Sequence, residues 1–277
     1  MPQTNKRSHD PRRSREPEYR APRRRSLGGD QVEGRQAVKE LILARRRSVE
    51  YVWIEDSVQR KGIVAEIVDL CLSRRIPLLT VSRRKFEMAA RSEGNQGIIA
   101  RAAALREEDL AEMVRGAKSP FIILIDGITD PHNLGAVLRS AELAGATGVV
   151  LPQNRTSMIT PTVAKSAAGA VEHLSFALVP GIPSALMTLS EMGVFVVGLD
   201  VRGASSIYSI PAEECASIAL VVGAEDKGLA RLSAERCNLL VRIPQVGRLD
   251  SLNVSAAAAV ALFEVSRQRG AEIVEGS

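Results

Sequence analysis

The sequence predicts an α/β protein in which a small α/β domain precedes a C-terminal parallel-sheet domain. Three observations predict it. After Ser119, six short Val/Ile/Leu-rich runs alternate with helical stretches, the pattern of parallel strands covered on both faces. Residues 34–104 alternate strand and helix signals on a smaller scale. Of 277 residues, 45% are AVILMFWYC and 25% are charged, enough to bury a core.

The elements follow in order. Residues 1–28 carry nine Lys/Arg against three Asp/Glu, four prolines and almost no large apolar residues. Such a segment cannot offset its ordering entropy by burial, so a disordered basic tail is expected. It is either a solubilising tail or an electrostatic arm for RNA, and charge alone does not choose. Residues 30–104 form the small domain. Gly34 to Arg46 predicts a helix, Tyr51 to Ile54 a strand and Val58 to Ser73 a second helix. Pro77 to Val81 predicts a strand, Arg83 to Ala90 a short helix and Gln96 to Ala100 a closing strand. Residues 105–118 are charged and helical in bias, and read as a linker. In residues 119–277 the six strands are Phe121–Asp126, Gly148–Leu151, Ser175–Val179, Val194–Leu199, Ile218–Gly223 and Leu239–Ile243.

Composition excludes several classes. Aromatic residues make up 3%, which argues against folds that read single strands on aromatic platforms. The longest apolar run, Ala256 to Phe263, falls far short of the ~18 residues of a membrane span. The charged N-terminus is not a secretory signal. Cys71, Cys215 and Cys237 are far apart, and the three histidines have no metal-ligand spacing. Neither a disulfide framework nor a metal site is supported, and a reducing cytoplasm is expected. The formal charge is +6 over residues 1–28, +3 over residues 29–118 and −4 over residues 119–277, so the N-terminal part would grip a polyanion.

No GxGxxG follows the first strand of the larger domain, and GxxxxGK[ST] and GxSxG are absent. Three stretches remain, each at the C-terminal end of a strand, where open α/β sheets bind ligands. The first is Asp126-Gly127-Ile128-Thr129-Asp130-Pro131-His132-Asn133, leading into a helix that carries Arg139. Leu134, Val137, Leu138 and Ala141 give that helix its apolar stripe, and Arg139 projects off it. Asn133 and Arg139 are six residues apart, a rotation of ~600°, so they do not share a face. Read alone, Asp130 or Asn133 is a cap and Arg139 is solvated. The second is Val221-Val222-Gly223-Ala224-Glu225-Asp226-Lys227-Gly228, in which a strand breaks at Gly223 and delivers Glu225 to the sheet edge. Read alone, it is a turn before a helix. The third runs from Val241 through Ile243, Pro244 and Gly247 to Ser251-Leu252-Asn253 and an Ala-rich helix. Leu252, Ala256, Ala259, Val260 and Phe263 line one face of that helix, and Ser251 and Asn253 stand at its start.

In this order, at these strand ends, the three stretches resemble the signature motifs of the SpoU family of RNA ribose 2′-O-methyltransferases, within the SPOUT superfamily. The likeness covers residues 119–277. Residues 30–104 are similar to the RNA-binding domain of the branch that methylates guanosine in bacterial 23S rRNA, through Gly34-Arg35-Gln36-Ala37-Val38 and Asn95-Gln96-Gly97-Ile98-Ile99-Ala100.

The resemblance implies a deep trefoil knot in the larger domain and an L30e-like fold in the smaller one. It implies S-adenosylmethionine as methyl donor, held by backbone at Gly223, Ile243 and Leu252. It implies attack by a ribose 2′-oxygen, with Arg139 beside the hydroxyl, Glu225 orienting Arg139 by an ion pair, and Asn133, Ser251 and Asn253 positioning the ribose or its phosphate. A guanidinium stays protonated below pH ~12, so Arg139 serves better to stabilise an alkoxide than as a base. The family also implies a homodimer, packed through the Asn133 helix and the Ala256–Ala259 helix. Arg83-Arg84-Lys85 beside Phe86 is the best RNA contact of the small domain, unless it is a solvated charge run beside a core Phe. The expected reaction is 2′-O-methylation of a guanosine in 23S rRNA. The alternatives are the same chemistry on tRNA or another rRNA position, and a non-catalytic RNA-binding protein of ribosome assembly.

Overall fold

The computed structural model describes residues 26–270. Most of the basic segment 1–28 therefore lies outside the described residues. Its last part does not: Leu27 is fully buried, and Gly29 N donates to the Ile159 carbonyl at 2.8 Å. The end of the segment expected to be a free tail is thus packed on the larger unit, Ile159 N donating to the Leu27 carbonyl at 3.0 Å.

The smaller unit is a four-stranded sheet with helices on both faces. It comprises β1 (Gln31–Glu33), α1 (Arg35–Ala44), β2 (Val49–Glu55), α2 (Ile63–Ser73), β3 (Leu78–Val81), α3 (Arg83–Ala89) and β4 (Ile98–Ala102). The sheet order is β1-β4-β2-β3, with only β2 and β3 parallel. β1 is too short to show periodicity, and sequence analysis missed it. The second helix starts five residues later than Val58, because Gly62 at its N-cap takes φ 54°, ψ −131°. The two segments that carry the family likeness meet here: Gly34 N donates to the Ile98 carbonyl at 3.2 Å, and Arg35 N to Gln96 Oε1 at 2.9 Å.

Residues 110–116 form α4 (Leu110–Gly116), capped by Asp109. Its Leu110, Met113 and Val114 are buried against Ile122 and Leu124 of the larger sheet. That larger unit continues with β5 (Phe121–Asp126), α5 (Pro131–Leu143), β6 (Gly148–Pro152), α6 (Pro161–Ser166), β7 (Phe176–Val179), α7 (Ile182–Glu191), β8 (Phe195–Leu199), β9 (Ser205–Ser206), β10 (Ile218–Gly223), α8 (Arg231–Glu235), β11 (Leu239–Arg242) and α9 (Val254–Gln268). Its seven strands are all parallel, in the order β7-β6-β5-β10-β8-β11-β9. The six predicted strands are present. The seventh, β9, is a two-residue polar edge with no apolar signature.

The central strands β5 and β10 are buried along almost their whole length, as their unbroken apolar runs require. α5 and α6 approach closely at Gly135, where a Cβ would stand 2.8 Å from the Val163 carbonyl oxygen. The face of α9 that packs on the core is not the one singled out in the sequence. Val254, Ala258, Ala261, Leu262 and Val265 face the core, while Leu252, Val260 and Phe263 are exposed. Both stripes are apolar, so the sequence did not choose between them.

Candidate active site

β5 and β10 are paired in register, with Gly223 opposite Asp126, so the first two motifs leave the sheet side by side. Asp130 is the N-cap of α5: its carboxylate accepts from the backbone N–H of His132 at 3.1 Å and of Asn133 at 3.2 Å. That cap, with Pro131 in the first turn, fixes Asn133 at the helix start. Asn253 is the N-cap of α9, its Oδ1 accepting from Ser255 N at 2.9 Å.

The three motifs meet in one hydrogen-bonded cluster. The Glu225 carboxylate accepts from Asn133 Nδ2 at 3.0 Å on one oxygen and from Asn253 Nδ2 at 3.0 Å on the other. Asn253 Nδ2 also donates to Asn133 Oδ1 at 3.1 Å. Each amide is thereby held in one orientation by a carboxylate, and the cluster faces solvent.

Glu225 also lines a cavity of about 410 Å³. The walls come from the ends of β8, β10 and β11 and the start of α9, including Leu199, Val222, Gly223, Ile243, Ser251, Leu252 and Ala257. Ser251 is exposed there, and its hydroxyl makes no hydrogen bond among the described residues.

Arg139 is not brought to this cluster. Among the described residues it forms no ion pair with Glu225, and it lines a separate cavity with Gln36, Glu40, Glu142 and His173. The helix accounts for this. Six residues place Arg139 ~9 Å along α5 from Asn133 and ~120° around it. Once Glu225 bonds Asn133, Arg139 is out of its reach within one chain. Within one chain the expected Glu225–Arg139 ion pair does not form, and Glu225 is held by Asn133 and Asn253.

A Cβ on Gly223 would sit 2.3 Å from the backbone carbon of Gly228, so the tight 223–228 turn requires the glycine. That turn is closed by paired backbone bonds between Ala224 and Gly228, at 3.1 and 2.9 Å.

Asp200, the residue immediately after β8, is not among the site residues expected from the sequence. Its buried carboxylate accepts from Arg202 Nε at 2.8 Å, Arg202 Nη2 at 2.7 Å and the Leu229 backbone N–H at 3.0 Å. These bonds, led by the Arg202 side chain, lower its pKa to about 2. Asp200 thereby anchors the turn that carries Glu225, and Asp200 and Arg202 both line the cavity. The available signal was a carboxylate at a strand end in a sheet of this kind.

Residues 120–263 match the SpoU rRNA methylase family, and residues 31–108 match the substrate-binding domain of RNA 2′-O ribose methyltransferases. The 23S rRNA (guanosine-2′-O-)-methyltransferase RlmB of Photobacterium profundum is 35% identical over 249 residues, covering 88% of this chain and 99% of its own. RlmB of Pseudomonas putida is 36% identical over 247 residues, covering 87% of this chain and 97% of its own. A solved RNA 2′-O ribose methyltransferase superposes with a TM-score of 0.71 at 26% identity, covering 86% of this chain and 88% of that one.

Proposed function

The chain belongs to the SpoU rRNA methylase family, and from that membership we propose that it transfers a methyl group from S-adenosylmethionine to a ribose 2′-hydroxyl of RNA, the acceptor being a guanosine of 23S rRNA. The observation that carries this reading is the Asn133–Glu225–Asn253 cluster, which joins all three motifs beside the 410 Å³ cavity.

The cavity suits the donor. Its size falls within the range of small-molecule sites, and Leu199, Val222, Ile243, Leu252 and Ala257 offer the apolar walls that a nucleoside needs. Arg202, Gln245 and Ser251 supply polar groups at its margin. Backbone at Gly223, Ile243 and Leu252 holds the donor in this reading. When bound, it supplies an electrophilic methyl on a sulfonium.

The protein's own residues then position the acceptor. Asn133 and Asn253 are oriented by Glu225, and with Ser251 they hydrogen-bond the ribose or its phosphate. Arg139 stabilises the 2′-oxygen as its proton passes to bulk water. Since Arg139 stands away from Glu225 in one chain, a second copy delivers it. A homodimer is supported by the exposed apolar stripe of α9, Val260 at 36% and Phe263 at 48% exposure, and by Leu143 of α5 at 63%. Arg139 lies one turn before Leu143, on that exposed side of α5.

A trefoil knot is supported by the order of strands. β11 lies between β8 and β9, although β9 precedes it in the chain, and the backbone at Gly203 packs directly on Val241 and Arg242. The smaller unit is read as L30e-like and as the RNA-docking part, with residues 105–118 joining it to a methyltransferase domain over residues 119–277. The cytoplasm is the proposed location, in keeping with three unpaired cysteines.

The test is methyl transfer from labelled S-adenosylmethionine to ribosomal RNA and to tRNA, with the modified positions mapped. Arg139→Ala is expected to lower the rate about 10²–10³-fold while calorimetric donor binding stays near wild type. Activity within a few-fold of wild type would sink the role given to Arg139. Methylation of tRNA alone would move the substrate.

A further inference from the structure

The smaller sheet has two unlike faces. Val52, Ile54, Ile98, Ala100 and Ala102 point into the main core beneath α1 and α2. The opposite face carries Tyr51 and Trp53 on β2, with Leu79 beside Trp53 on β3 and Arg101 beside Tyr51 on β4. Among the described residues, α3 and the chain after it cover part of this second face.

Phe86 of α3 is buried against Val81 and Ile99, so it is not the aromatic partner of the Arg83-Arg84-Lys85 run. That partner is Trp53. The Tyr51 and Trp53 rings stack with centroids 5.4 Å apart and planes 24° from parallel, and Lys85 Nζ stands 4.8 Å from the centre of the Trp53 ring. Both rings are half-buried. Around them Leu79 is 48% and Met88 is 81% exposed. Two nearby carboxylates are paired, Glu87 with Arg83 at 2.8 Å and Asp30 with Arg101 at 2.7 Å, and a third, Glu55 at the end of β2, accepts from the Ser57 hydroxyl at 2.8 Å on the Arg83 side of the patch. Lys85 and Arg84 have no acidic partner among the described residues. The patch is therefore aromatic and cationic, in the segment of net charge +3.

We propose that this Tyr51–Trp53 stack, with Lys85 beside it, is the platform on which the small domain binds an unpaired base of its RNA. The inference rests on the proposed RNA substrate and deepens it, because it names the structural class recognised: a single-stranded or looped segment rather than a regular duplex. A base extends an existing ring stack at little ordering cost, and the Lys85 ammonium is placed for the phosphate that follows. A duplex keeps its bases inside and offers no ring face to Tyr51. The low aromatic content of the chain does not oppose this, since the fold gathers two of its nine aromatic residues into one stack.

Trp53 is the sole tryptophan of the chain, so its fluorescence reports the platform directly. The experiment titrates the full chain with oligoadenylate, with an RNA hairpin bearing a purine-rich loop and with a blunt duplex of the same stem. Binding is followed in parallel by the anisotropy of labelled RNA. The loop and the oligoadenylate are expected to quench Trp53 with the same midpoint as the anisotropy, and the duplex to bind without quenching. Tyr51→Ala is expected to weaken loop binding about tenfold. Lys85→Gln, an exposed change that leaves thermal melting in place, is expected to reduce the salt slope of binding by about one. Calorimetric affinity for S-adenosylmethionine is expected to hold in both variants. RNA binding that leaves Trp53 fluorescence unchanged overturns the proposal, as does quenching by polyglutamate but not RNA, which would mark a protein-docking surface. Methylation absent from every RNA, with loop quenching intact, would refute the catalytic reading and leave the platform standing.

Discussion

At the scale of single residues, the site is held by groups that do no chemistry themselves. Glu225 fixes two amides, and Asp200 fixes the turn that presents Glu225. Asn253→Asp sets a second carboxylate 3.0 Å from Glu225 in place of a donor. The two like charges repel and release Glu225 and Asn133 from their fixed orientations, and at this solvent-facing site the loss is of geometry rather than of stability. The α9 cap survives, since Asp caps as well as Asn. Methyl transfer is therefore expected to fall by more than tenfold with little change in melting temperature, and parallel rate and melting measurements check this. Asp200 gives a pH prediction. Its folded pKa, about 2, lies below the unfolded value of ~3.9. Its contribution to stability is thus complete above pH ~4 and is lost as pH falls toward 2, an effect of about 2 kcal/mol. Asp200→Asn is expected to flatten that part of the acid-melting curve. The cysteines behave in the opposite sense: burial pushes Cys71 up to about 11 and Cys237 to about 12, so native thiols should react slowly with disulfide reagents at pH 8.

At the scale of elements, the clearest case is α9. Its two apolar stripes cannot be ranked from periodicity, because alanine sits on both and has no bulk to declare the core. The unburied stripe gives a prediction. Phe263→Glu is expected to convert a dimer to a monomer in light scattering while leaving the fold intact, since Phe263 is 48% exposed in one chain. A variant that remains dimeric would place the interface elsewhere. The same distinction explains what was legible in advance. Strands with continuous Val/Ile/Leu runs were read to within a residue or two, because burial on both faces leaves an unambiguous signal. β1 and β9 were not, being three and two residues long and partly polar. The site motifs were placed at the correct strand ends. Which side chains meet across those ends was not legible, because pairing depends on helix rotation after the cap. Glu225 was assigned to Arg139, yet the Asp130 cap turns Asn133 toward it instead.

At the scale of the whole molecule, one buried cluster runs through both units, from Val32 and Ile54 in the smaller sheet to Phe121 and Leu220 in the larger. A buried ion pair reinforces the junction. Arg47 donates to Glu172 at 2.9 and 2.5 Å, and the two side chains are only 5% and 1% exposed. Arg47 also donates to the carbonyls of Gly29 and Ala103. Removing one charge of such a pair leaves the other stranded, at a cost of about 3–5 kcal/mol. The wild-type chain is expected to melt in one calorimetric transition, and Glu172→Gln to split it into two, the smaller unit melting first. A single transition at the wild-type temperature would show that the apolar contacts suffice. A docked small domain also fixes the distance between Trp53 and the cavity.

The insertion of β11 between β8 and β9 sets a schedule for the molecule's birth. On a ribosome, residues 199–228 emerge first, yet the cavity they half enclose has no far wall until Ile243 to Ala257 arrive. No nascent chain ending before β11 possesses this cavity, whatever else it has folded; it closes only when the last strand has found its slot.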